Sequence, residues 1–230
     1  MNQPFNQTYQ ASTVTQEAGH RVLRNTYWLL AVSMIPTILG AWLGVQMNFS
    51  VMAGSPFVGF IVFMAVAFGF FYAIEKTKDS GWGIAVLLGF TFFMGLMLSR
   101  MIGHILGFSN GAALIMIAFG GTASIMVVMA TVATVSKRDF SGMGRWLFAG
   151  LMVLILASVA NIFLHLPALY LVVSVLAIGI FSAYILHDVQ QVLRGGETNY
   201  ITATLKIYLD VYNIFINLLS LLGIFGGSRD

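Results

Sequence analysis

Runs of mostly apolar residues recur seven times along this 230-residue chain, at about 27–47, 56–74, 82–101, 112–135, 143–164, 167–193 and 202–225, and only short polar stretches separate them. About 20 apolar residues in a helix cross the roughly 30 Å hydrocarbon core of a bilayer, so each run predicts a membrane-spanning helix. The expected fold class is therefore all-α, an integral membrane protein with a single seven-helix domain over 27–227. Residues 1–19 are rich in Gln, Asn, Thr and Ser, with no basic start leading into an apolar run. They predict a polar, mobile tail extending to residue 26, not a cleaved signal. Residues 228–230 form a short C-terminal tail. Gly40 and Gly44, four apart in the first run, are positions for close helix packing.

The last two runs break this uniformity. Arg194 followed by Gly195-Gly196 marks the end of the sixth helix, and the seventh begins near Thr202. At about 100° per residue, Lys206, Asp210, Asn213, Asn217 and Ser220 fall on one stripe of an otherwise apolar helix. Polar groups at that depth are costly unless they face other helices or water. Asp188 sits five residues before the end of its helix and Asp210 eight after the start of its own, about 8 and about 12 Å at the usual rise. The pattern thus places two carboxylates at similar depth on adjacent antiparallel helices.

Composition sharpens the class without changing it. Hydrophobic residues make up 59% of the chain and charged residues 8%, against about 25% charged in soluble domains. With no cysteine, disulfides, thiolate metal sites and cysteine nucleophiles are excluded. Arg21, Arg24, Lys76, Lys78, Lys137, Arg138, Arg145, Arg194 and Lys206 fall in the tail and in alternate loops, while the other side has only Arg100 and Arg229. That asymmetry predicts a cytoplasmic N-terminus and an external C-terminus. The net charge of +3 reads as a topology signal facing membrane lipids, with no nucleic-acid partner.

Two nearby carboxylates share a proton and titrate as one unit. Singly protonated, such a pair holds two helices together; fully ionised, it repels and attracts cations. The alternative is private satisfaction, with Asp210 paired to Lys206 one turn earlier and Asp188 held by loop donors. Pro167-Ala168-Leu169 matches a tripeptide of intramembrane aspartyl proteases, but Asp210 lacks their Gly-x-Gly-Asp context. No phosphate loop, His-Glu-x-x-His helix or serine-nucleophile motif is present, so neither an enzyme nor a cofactor is expected. No fixed metal site is read from the sequence.

Asn161-Ile162-Phe163, the segment Tyr184 to Asp188, the segment Tyr208 to Leu219 and Lys137-Arg138-Asp139-Phe140-Ser141 together resemble the transmembrane Bax inhibitor motif family over nearly all seven spans. The resemblance implies six helices around a central C-terminal seventh. It also implies a calcium leak governed by the aspartate pair, with transient calcium near Asp188 and Asp210. Gly195 to Tyr200 and Gly120-Gly121-Thr122-Ala123 are most similar to bacterial inner-membrane members that modulate the membrane-anchored protease FtsH. Family members with the latch carry an arginine near the end of the second span, where this chain has Ala73-Ile74-Glu75-Lys76. Lys76 or Lys206 is then the expected latch partner, although lysine lacks the bidentate fork. The leading expectation is a pH-responsive cation pathway lined by Asn213, Asn217 and Ser220; the alternative is an FtsH modulator.

Overall fold

A computed structural model describes residues 3–49 and 56–227, with side chains from 18–49 and 57–227. The C-terminal tail, Arg229 and most of the loop after the first span lie outside the described residues. Seven helices follow in order: α1 (Gln3–Gln46), α2 (Pro56–Thr77), α3 (Trp82–Leu106), α4 (Gly111–Val135), α5 (Gly144–Leu164), α6 (Pro167–Leu193) and α7 (Tyr200–Gly226). A 3₁₀ turn, Ser141–Met143, leads into α5. All seven are long and apolar enough to cross a membrane, the span of α1 being Ala18–Gln46.

Two boundaries differ from those the sequence predicts. The polar segment from Gln3 is helical and continuous with the first span, because Pro4 sits in the first turn, where its missing N–H costs nothing, and no further Pro or Gly occurs before Gly19. α7 begins at Tyr200, two residues early, because the Asn199 side chain caps it by accepting from the Ile201 and Thr202 amides at 2.9 and 3.2 Å. Asp210 therefore lies about 15 Å along its helix, deeper than the about 12 Å expected.

α7 packs against α1, α2, α3, α4 and α6. It is central, as the family resemblance implies, but α5 is held off it and touches α6 instead. Close approach explains the placement of α5: a Cβ on Gly144 would stand 3.0 Å from the His187 ring, and one on Gly150 3.0 Å from Ile180. The other faces of α5 and α2 are given to lipid, with Trp146, Phe163 and Phe57 mostly exposed.

The tightest crossing joins α1 to α3. A Cβ on Gly40 would lie 2.2 Å from the Phe92 carbonyl oxygen, and one on Gly95 2.1 Å from that of Thr37. A Cβ on Gly44 would meet the Ser99 side chain at 2.5 Å, so the Gly40/Gly44 pair serves packing inside the chain. Among lipid tails helices gain little from apolar burial, and association rests on such van der Waals contact and on interhelical hydrogen bonds. One bond of that kind sits in the core: the buried Tyr208 hydroxyl on α7 pairs with Thr37 Oγ1 on α1 at 2.9 Å. Around it Phe90, Leu87, Ile185, Val189, Ile207 and Ile214 are fully buried.

Candidate functional site

The loop end of the α6–α7 pair brings the two predicted aspartates within Coulombic reach of each other, and Tyr184 stands beside both. Asp188 Oδ1 accepts from its neighbour His187 Nδ1 at 2.9 Å, so a ring on its own helix satisfies it and not the loop donors expected. The far edge of that imidazole faces Gly144 on α5 and the Gln191 amide. Asp210 is buried at 6% exposure. Its Oδ2 atom has no hydrogen-bond partner among the described residues, an expensive state for a carboxylate oxygen away from water.

Neither expected lysine makes an ion pair with the aspartates, although Lys206 lies within Coulombic reach of Asp210. Lys206 Nζ contacts Glu197 Oε2 at 2.8 Å: its side chain is nearly half exposed and turns toward the loop, while Asp210 lies a turn deeper. The Lys76 ammonium sits 5.7 Å from the centre of the Tyr72 ring, a cation–π contact that holds it near its own helix. Deeper along α7, Asn213 donates to the Leu209 carbonyl and Asn217 to that of Asn213, both at 2.8 Å. Their donors are thus turned onto the helix backbone, which leaves the side-chain oxygens as the groups able to face an ion. Ser220 hydrogen-bonds Tyr170 at the far end of α6, and both line a cavity of about 640 Å³ with Met101, His104 and Phe108. Pro167 opens α6 at that same far end, remote from both aspartates, so the protease-like tripeptide and the carboxylates do not form one site.

The sequence profile described as inhibitor of apoptosis-promoting Bax1 matches residues 19–227. The chain belongs to the Bax inhibitor family. Among its relatives, the Escherichia coli K12 protein named modulator of FtsH protease YccA is 37% identical over 211 residues, 92% of each chain. A Neisseria meningitidis serogroup A protein is 37% identical over 216 residues, 93% of this chain and 94% of the relative. A Vibrio cholerae membrane protein is 34% identical over 209 residues, 91% and 92% of the two chains. Another E. coli relative is named inner membrane protein YccA. With its seven spans, this Bax inhibitor protein is a multi-pass inner-membrane protein.

Its loop face is organised by residues that sequence reasoning passed over. Gln190, 2% exposed near the end of α6, accepts from the Phe140 amide at 2.5 Å and donates to the Arg138 carbonyl at 2.8 Å. Arg194 donates to the same carbonyl at 3.0 Å and pairs with Asp139 at 2.7 Å. On the other flank, Asn199 Nδ2 donates to the Lys78 carbonyl and to Asp79 Oδ1, both at 3.0 Å. The short stretch between α6 and α7 thereby clasps the α2–α3 and α4–α5 loops at once. Asn199 carried a legible signal, an N-cap residue directly before an apolar run; Gln190 carried none, because its partners lie some fifty residues away.

Gln190→Ala is expected to leave the Phe140 N–H without its acceptor, at about 1–3 kcal/mol if that group stays buried, while Arg194 still donates to the Arg138 carbonyl. Hydrogen exchange at the Phe140 amide will then speed up by about tenfold or more. An unchanged exchange rate would mean that the clasp contributes nothing to loop order.

Proposed function

We propose that this chain modulates a membrane-anchored FtsH protease from within the same inner membrane, restraining the degradation of membrane proteins. One observation carries the reading: 37% identity, over 92% of both chains, to the relative named modulator of FtsH protease. The asymmetry of Lys and Arg supports a cytoplasmic N-terminus and cytoplasmic clasped loops. A regulator of a protease needs an ordered surface there, and the polar segment ahead of the first span adds a stretch for a partner to engage. Deleting residues 2–19 tests this directly. With the full chain present, an FtsH membrane substrate is expected to persist longer than in its absence, and the deletion should return its half-life to the value without the protein. A half-life indifferent to the full chain would overturn the reading.

A second reading is favoured by the unpartnered oxygen of the buried Asp210 beside Asp188. Such a pair suits a protonation latch on a cation route, calcium being the ion that the family resemblance implies. The Asn213, Asn217 and Ser220 stripe then lines the route toward the far cavity. This reading makes the protein a conduit with no resident cofactor, and it is compatible with the first.

A further inference from the structure

The loop face has an uneven charge balance. Each described carboxylate on it is engaged: Glu75 with Lys78, Asp79 with Asn199, Asp139 with Arg194, and Glu197 with Lys206. Ser141 also bonds Asp139 through both its amide and its hydroxyl, which holds that carboxyl below the usual carboxylate range. Lys137, Arg138 and Arg145, by contrast, are exposed and have no side-chain partner among the described residues.

These three cations come from backbone anchored on one short stretch of α6. Arg138 is fixed through its carbonyl to Gln190, and Arg145 follows Gly144, which sits against His187. His187 and Gln190 are three apart on one helix, hence neighbours about 5–6 Å apart. The first turn of α5 has no acidic side chain, so its positive dipole end adds to the same field. Beside Arg145, Trp146 is 81% exposed, with the amphipathic ring that prefers the headgroup layer. Lys137 and Arg138 follow directly on the end of the fourth span at Val135, and Arg145 lies near the start of the fifth, so all three charges belong to chain ends at headgroup level, which favours a lipid.

We propose that Lys137, Arg138 and Arg145 form a binding site for the phosphate of an anionic phospholipid, with Trp146 against its glycerol and upper acyl region. The assignment stands on the loop geometry alone and holds whether or not the chain regulates a protease. Two features set the site apart from a generic basic fringe. Its backbone is pinned by part-buried hydrogen bonds to Gln190 and by the close packing of Gly144 on His187, so the loop that carries the cations is ordered before the lipid arrives, and the carboxylate between them in sequence is already occupied by Arg194.

The test is native mass spectrometry of the full chain released from nanodiscs of phosphatidylcholine with phosphatidylglycerol. Wild type is expected to retain phosphatidylglycerol preferentially. Each of Lys137→Gln, Arg138→Gln and Arg145→Gln should lower that retention about fivefold, the equivalent of one basic residue at a membrane surface. Arg21→Gln with Arg24→Gln, on α1, should leave it unchanged. The single variants replace exposed side chains, and a melt confirms their fold. Equal retention of the two lipids by wild type, or a loss as large in the α1 variant as at the loop, would overturn the site. Displacement of the lipid by soluble glycerol 3-phosphate would overturn the lipid assignment, as would capture of an acidic protein at these residues without lipid preference.

Discussion

Gly95→Ala is expected to lower the melting temperature of the detergent-solubilised protein and its steady-state level in membranes, and Gly95→Val more so. The added Cβ would sit 2.1 Å from the Thr37 carbonyl oxygen and 3.0 Å from the Ala41 amide nitrogen. Both are backbone atoms, so no side-chain rotation relieves the clash, and α1 must move off α3. Overpacking of this kind costs about 1–3 kcal/mol. The displacement would also strain the bond between Thr37 and Tyr208, because Thr37 is itself the residue that the new Cβ meets. Gly69→Ala is the matched control: its Cβ meets nothing within 4 Å, and in a helix alanine is favoured over glycine by roughly 1 kcal/mol or less. Equal melting of the two variants would show that the α1–α3 crossing is not a principal source of stability.

The second large effect concerns the aspartates. On the conduit reading, calcium entry into proteoliposomes rises between about pH 6 and about pH 8 as the pair loses its shared proton, by up to about tenfold per pH unit for one proton released. Asp188→Asn combined with Asp210→Asn abolishes that slope, because amides neither titrate nor repel as carboxylates do. The single variant Asp210→Asn tests the private-satisfaction alternative. It removes the charge with the unpartnered oxygen while His187 and Asp188 keep their bond. A flux whose pH dependence survives Asp210→Asn would assign that dependence elsewhere. Folded wild type with no flux above empty vesicles at any pH would remove the conduit reading and leave the degradation assay with the residue 2–19 deletion to decide the modulator.

Periodicity and length sufficed for the seven spans, because a lipid environment imposes one rule on every residue that crosses it. The same logic placed Asp188 and Asp210 near each other, since a short turn between antiparallel helices leaves little freedom. What was not legible was non-local. The charge of Lys206 suggested a partner on its own helix, but Glu197 in the adjoining loop reaches it first. Lys76 was matched to the aspartates by family pattern, yet it turns to Tyr72. Gln190 reads in sequence as one more amide near a helix end, and only the arrival of the α4–α5 loop beside it gives it two backbone partners. The depth of Asp210 was misjudged for a local reason: the capping capacity of Asn199 went unused, and it moves the helix start by two residues.

The clasp also orders events in the life of the chain. The α2–α3 and α4–α5 loops leave the ribosome well before Gln190, Arg194 and Asn199, the residues that tie them down. Until the final hairpin is inserted, the earlier spans are threaded but their loop face has no fastening. That face is therefore completed only when α6 and the turn after it have emerged. A chain stopped short of α7 presents unsecured loops to any quality-control protease in the membrane, while a finished chain hides the difference within one short turn.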